Sequence, residues 1–193
     1  MELSPRLYHI LVRPKWFSKL YVENVIKHNI VHDYENMLDF GCGIGSNCNI
    51  FEPLKYIGLD SDKERIEYAK RLYPEYEFAT LESSILPIND KSIDHILIFS
   101  VLHHIDSEKL KDYLKEFHRV LKHEGNILVV EPYFKPYCVL KNNCMRYFDK
   151  DNYIRTEKEY LDMFNHNKYK TEVINRYSQP LFYNKLFFIA SPI

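Results

Sequence analysis

Glycine is scarce in this chain: five residues in 193. Long apolar runs are missing too. A bilayer span needs ~18 consecutive apolar residues, and the best candidate, HILIFSVLHHI at 95–105, is shorter and carries histidines. The opening MELSPRLYHILVRPKW lacks the apolar block and small-residue cleavage site of a secretory signal. A cytoplasmic protein with no membrane span is therefore expected. Positive charge is not in excess, because 26 Lys and Arg face 27 Asp and Glu for a net charge of -1. A duplex DNA binder usually carries a basic face, so no nucleic-acid partner is expected. Cysteine is limited to positions 42, 48, 138 and 144, two C-x5-C pairs that match no zinc spacing. They read as free thiols, and no metal site is expected.

What is present is an alternation of apolar runs and helical patterns. Strands are predicted at 36–40, 55–60, 76–81, 92–100 and 126–131, and helices at 46–52, 62–73 and 107–122, with Gly125 closing the last. Helices between Val- and Ile-rich strands mean a parallel sheet covered on both faces. Beyond 131 the rhythm breaks: 132–155 has no clean period, a helix follows at 156–165 with Thr156 as its cap, and two closing strands are predicted at 169–177 and 180–191. Trp16, Leu20, Val22, Val25 and Ile26 suggest a helix in an N-terminal cap segment, 1–30. The length suits one well-buried domain, 1–193, better than two.

Three of the five glycines, Gly41, Gly43 and Gly45, fall in the single stretch LDFGCGIGSN at 38–47. Gly41 turns the first strand sharply, and Gly43 and Gly45 leave the turn bare so that a ligand can reach the backbone. N–H groups at the start of the following helix would favour an anionic group. The dinucleotide fingerprint G-x-G-x-x-G fails, since the sixth position is Ser46, and Asp39 ahead of the turn would repel a pyrophosphate but suit an ammonium. Asp60, ending the second strand in YIGLDSD, is placed to accept from ribose hydroxyls. A ribose, an ammonium and a carboxylate together describe S-adenosylmethionine.

On these residues the chain resembles the class I S-adenosylmethionine-dependent methyltransferases, from about 36 to 132, with LDFGCGIG as first motif, YIGLDSD as second, then LESSILPI, SIDHILIFSVLHHI, FHRVLKHEG and LVVEP. The resemblance implies a Rossmann-like three-layer α/β sandwich, with a seven-stranded, mostly parallel sheet and an antiparallel last strand. It implies cofactor contacts at Asp39, Gly41, Cys42, Gly43, Gly45, Asp60, Ser61, Glu82, Ser83, Phe99 and Ser100, with Glu82 and Ser83 near the adenine. The product would be S-adenosylhomocysteine.

Past the fourth strand, His103 and His104 are candidate bases for an acceptor proton, or else one satisfies a backbone group and the other lines the adenosine pocket. Asp106 orients a ring or caps the helix at 107. The 132–155 segment holds five cations against Asp149 and Asp151, with six tyrosines and phenylalanines, and reads as a substrate lid. Arg146 and Arg155 would pair an acidic group on a small-molecule acceptor, or the segment is a solvated basic loop. The place after strand four reads FSVL, not the Asp/Asn-Pro-Pro-aromatic motif of base-amine methyltransferases, and this points to a small molecule or a sugar- or lipid-linked precursor. Two other readings stay open: a regulator that binds S-adenosylmethionine without catalysis, and an NAD-dependent oxidoreductase, against which Asp39 and Ser46 count.

Overall fold

The computed structural model describes Ile26 and residues 34–148, 153–178 and 184–193. The expected cap at 1–30 lies outside the described residues except for Ile26, which is helical and buried. By its contacts the chain forms two compact units, 1–82 and 83–193.

In the first unit β1 (Met37–Phe40), β2 (Tyr56–Asp60) and β3 (Glu77–Thr80) lie in the order β3-β2-β1, each pair parallel. Every residue of β1 is buried, which is why MLDF reads as an unbroken run and not an alternation. Helix α1 (Lys63–Leu72) begins where Asp62 accepts the N–H of Arg65 at 3.0 Å, and it packs Ile66 and Ala69 inward. Since the strands are parallel, the loops after Phe40, Asp60 and Thr80 leave from one edge.

The helix expected at 46–52 does not form. Only a three-residue 3-10 turn, Cys48–Ile50, is present, and Pro53 opens the next one. The Gly45 N–H bonds the Cys42 carbonyl and the Cys48 N–H bonds the Gly45 carbonyl, so tight turns consume this stretch before an α-helical ladder can start. The anion-attracting helix start expected there falls away with it.

In the second unit β4 (Ile93–Phe99) runs parallel to β5 (Leu121–Phe134), with α2 (Ser107–Val120) as the crossover. Asp106 is the cap of α2, accepting from the N–H groups of Glu108 and Lys109. After β5 come α3 (Val139–Phe148), the two-residue β6 (Arg155–Thr156), α4 (Glu157–Asn165), β7 (Tyr169–Ser178) and β8 (Asn184–Pro192). The order is β4-β5-β8-β7, with β8 antiparallel to both neighbours and β6 beside the end of β5. With β1–β3, the seven expected strands are present and the last is antiparallel. Thr156 caps α4 through a reciprocal pair with Glu159. Phe164, Tyr169, Phe187 and Phe188 fill the core, with Phe164 edge-on to Phe188.

Two boundaries differ from expectation. Strand β5 starts at Leu121, directly after α2, because Leu121 pairs with Ile93 before the register shifts to His95↔Asn126. Gly125 lies in that irregularity, where a Cβ would stand 2.8 Å from the Asp94 carbonyl oxygen. The aperiodic 132–155 segment contains α3, whose start is held by Asn142, bonded to both the N–H and the carbonyl of Lys135.

Gly45 and Gly43 both have positive φ, 74° and 57°, yet they differ in surroundings. A Cβ on Gly45 would lie 2.8 Å from the Phe78 ring, whereas one on Gly43 would meet nothing within 4 Å. Each alanine substitution carries a left-handed penalty of about 1–2 kcal/mol. Gly45→Ala adds roughly 1–3 kcal/mol of overpacking. Chemical denaturation should therefore rank Gly45→Ala clearly less stable than Gly43→Ala; equal losses would contradict this packing account.

Candidate cofactor and acceptor site

In the first unit the glycine loop is tied to β2. The N–H groups of Gly41 and Cys42 both reach the Leu59 carbonyl, at 2.7 and 3.0 Å. Asp60 then bridges two segments: Oδ2 accepts the Gly43 N–H at 2.8 Å and Oδ1 accepts the Asp62 N–H at 2.9 Å. The helix cap is Asp62, so Asp60 is committed to the loop and not to capping α1. Each carboxylate oxygen keeps further acceptor capacity for hydroxyl groups. With open space beside Gly43, the loop and Asp60 fit a ligand that needs close backbone approach and a diol acceptor.

Asp39 is buried beneath this loop and accepts the Tyr56 hydroxyl at 2.8 Å. Burial, and then the charge of Asp39, push the Tyr56 hydroxyl well above its ordinary value. Cys42 is buried, and its thiol is pushed well up by burial and then by Asp39 and Asp60. Its Sγ lies where a Cβ on Gly58 would stand within 3.0 Å, so the side chain packs downward on β2. Burial is also the main cause that pushes the Cys48 thiol up to about 12. Neither thiol is a ready nucleophile. Ser61 and Glu82 are exposed.

In the second unit Ser83 is exposed and bonds within its own turn, to the N–H of Ile85. The loop after it is held from α2. Glu116 accepts the Leu86 N–H, and Arg119 donates to the carbonyls of Leu86 and Ile88 and to Asp90. The hydrogen bond from Arg119, outweighing burial, keeps the Glu116 carboxyl below its usual range.

The end of β4 is organised by Glu131 of β5, which is fully buried. It accepts the N–H groups of Val101 and Leu102 at 2.6 and 2.8 Å and meets Nδ1 of His103 at 2.7 Å. Burial alone would raise its carboxyl; the charge and hydrogen bond of His103, then Lys185 and the Val101 N–H, hold it below the ordinary range. The buried Lys185 of β8 donates to the Ser100 hydroxyl at 2.5 Å and lies over the Phe99 ring. Ser100 takes a positive φ of 57°, a conformation that a serine holds only when its neighbours fix it. His103 is buried, His104 is exposed, and their ring centroids are 4.0 Å apart.

The two predicted acceptor cations have different surroundings. Arg146 is exposed and lies over the Phe134 ring at 4.6 Å. Arg155 is buried, and its guanidinium donates to the carbonyls of Leu102, Ile105 and Tyr153 and to the Ser107 hydroxyl. It braces the turn that carries the histidines. The Tyr153 N–H adds a 2.6 Å bond to the His103 carbonyl. Sequence reasoning passed over Glu131 and Lys185. The available signal was a charge inside an otherwise apolar strand, LVVEP and NKLFF.

Because the Glu131 carboxyl titrates lower when folded, its ionised form stabilises the fold fully above the range of free glutamate, about pH 4.3. That contribution is lost as pH falls through the lower folded value. The stability advantage of wild type over Glu131→Gln should accordingly shrink below about pH 4. A gap that stays constant with pH in denaturant titrations would show that Glu131 is not held as the anion.

Comparison with known proteins comes to the same place. The sequence model of a family described as a methyltransferase domain matches residues 38–129. The uncharacterised methyltransferase YcgJ of Bacillus subtilis is 29% identical over 161 residues, 77% of this chain and 62% of that protein. The chain thus spans less than two thirds of that relative's length. The YcgJ crystal structure superposes with a TM-score of 0.72 at 20% identity, over 86% of this chain and 95% of that one. A protein of Pyrococcus horikoshii gives 0.75 at 14% identity over 99% and 100%. Geranyl diphosphate C-methyltransferase of Streptomyces coelicolor, solved with geranyl diphosphate and S-adenosylhomocysteine, gives 0.67 at 13% identity over 82% and 74%. These likenesses show the Rossmann-like fold. Residues 38–129 match that methyltransferase-domain family, and together these likenesses support a class I S-adenosylmethionine-dependent methyltransferase.

Proposed function

We propose that the protein transfers the methyl group of S-adenosylmethionine to a small molecule or a sugar- or lipid-linked precursor, leaving S-adenosylhomocysteine. The observation that carries this reading is the join between Gly43, with open space where a side chain would be, and Asp60, which grips that glycine's N–H. When bound, the cofactor supplies a sulfonium methyl that a nucleophile displaces in line. The chain's work is to hold and orient the partners. In this reading the backbone of Gly41, Cys42, Gly43 and Gly45 meets the amino-acid end of the cofactor. The buried charge of Asp39 favours its ammonium, and Asp60 with Ser61 takes the ribose. Glu82 serves the adenine; in the second unit the same reading assigns cofactor contacts to Ser83, Phe99 and Ser100.

His103 is the better-prepared base of the pair. An ionised Glu131 requires a proton on Nδ1, which leaves Nε2 to accept one from the acceptor. Exposed His104 sits against it, and Arg146 offers an accessible cation for an acidic acceptor.

Calorimetry should show S-adenosylhomocysteine binding and no NAD binding. Gly43→Val should abolish the first while the protein stays folded, and Asp60→Ala should weaken it by about 1.5–3 kcal/mol. Unchanged affinity in both variants would sink the assignment of the loop. Release of labelled methyl groups into cell extracts would then separate an enzyme from a cofactor-binding regulator.

The tautomer can be read without knowing the acceptor. Glu131→Gln still offers an oxygen to Val101 and Leu102, but it presents an amide N–H to His103. Nitrogen NMR of the ring should find the proton on Nδ1 in wild type and on Nε2 in the variant. The same tautomer in both would remove His103 as a prepared base.

A further inference from the structure

Helix α3 differs from α2 in the same unit. The outer face of α2 is charged, with Glu108 paired to Lys111 and Asp112 to Lys115. On α3 the exposed positions 139, 140, 143, 146 and 147 fall at helical spacing along one face, and they carry Val139, Leu140, Asn143, Arg146 and Tyr147. Nine large apolar side chains are exposed among the described residues, and five of them lie between Tyr137 and Tyr153. Leu140 is 83% exposed and Tyr137 wholly so. The opposite face is anchored by the fully buried Met145 and by Asn142 on Lys135. Such a concentration of apolar surface on a soluble face marks an interaction site.

Charge indicates what it meets. Residues 132–148 contain Lys135, Lys141 and Arg146 and not one Asp or Glu, although the whole chain is close to neutral. Apolar and aromatic side chains flanked by unopposed cations are the requirements for lying in an anionic lipid interface. A nucleic acid would use the cations but would leave Val139 and Leu140 in water. We propose that the α3 face docks on an anionic membrane surface, with Tyr137, Val139, Leu140 and Tyr147 at the headgroup boundary and Lys135 and Arg146 on the headgroups. This is contact with one leaflet; no described helix is long and apolar enough to cross a bilayer.

The docking helix follows the carboxyl end of β5. The inference goes beyond the methyltransferase reading and stands independently of it.

The test is co-sedimentation of the full chain with vesicles of phosphatidylglycerol and phosphatidylcholine, and with phosphatidylcholine alone. Wild type should bind the anionic vesicles, and more weakly as salt is raised. Lys135→Gln should lower partitioning by about fivefold, whereas Lys141→Gln, on the anchored face, should change it much less. Leu140→Glu with Tyr147→Glu should lower it by more than about tenfold. All variants should keep the circular dichroism and unfolding midpoint of wild type, which certifies the fold. The proposal is overturned if wild type ignores anionic vesicles or if the variants partition equally. It is also overturned if Leu140→Glu instead dissolves a dimer, or if RNA and not lipid is retained. Vesicle binding without cofactor binding would sink the enzymatic reading and leave this one intact.

Discussion

The second unit is organised around one fully buried carboxylate. Removing a single partner from such a group typically costs about 3–5 kcal/mol, because the charge that remains cannot be hydrated. Glu131 therefore dictates its surroundings. It requires two backbone N–H groups from the turn after β4, and that demand sets the path of Val101 and Leu102. It requires an imidazole, and that turns His103 inward. Lys185 supplies a further positive charge and ties down the Ser100 hydroxyl at the residue of positive φ. Arg155 then takes the carbonyls of Leu102 and Ile105. The turn is thus clamped through its donors by an acid and through its acceptors by a guanidinium.

Asp60 does comparable work in the first unit, by a cheaper route. It is only part-buried, so it keeps some water while it holds the glycine loop and the start of α1. Under the proposed function the contrast suits different tasks. A group that must accept from a passing ligand cannot have all its acceptor capacity sealed, whereas one that must hold a tautomer should be sealed completely.

Much of this was legible from sequence, for identifiable reasons. The buried strand MLDF, the caps at Asp106 and Thr156 and the amphipathic α2 depend on neighbours within a few residues. Periodicity and capping rules therefore reach them. The stretch after Gly45 was misread as a helix because its apolar spacing fits one, while the turns that pre-empt the helix depend on backbone conformation. The roles of Glu131, Lys185 and Arg155 were not legible at all. Each depends on a partner between 28 and 85 positions away in the chain, and a charge in an apolar strand does not name its counter-ion.

The scarcity of glycine sharpens what each one means. Gly45 and Gly58 are both held small by the same Phe78 ring, and Gly125 by the carbonyl of Asp94. Packing accounts for all three without any ligand. Gly43 is different: nothing in the described protein occupies the space its side chain would take, yet the chain adopts a left-handed conformation there and spends an Asp60 contact to hold it. A fold with no use for that room would be more stable with a side chain and an ordinary φ at this position. Gly41 also takes a left-handed φ, 73°, where the chain leaves β1; the other two glycines of the loop are two separate facts. One is the tight fit of the loop over Phe78, and the other is a single residue, Gly43, kept bare on the side where the cofactor is proposed to lie.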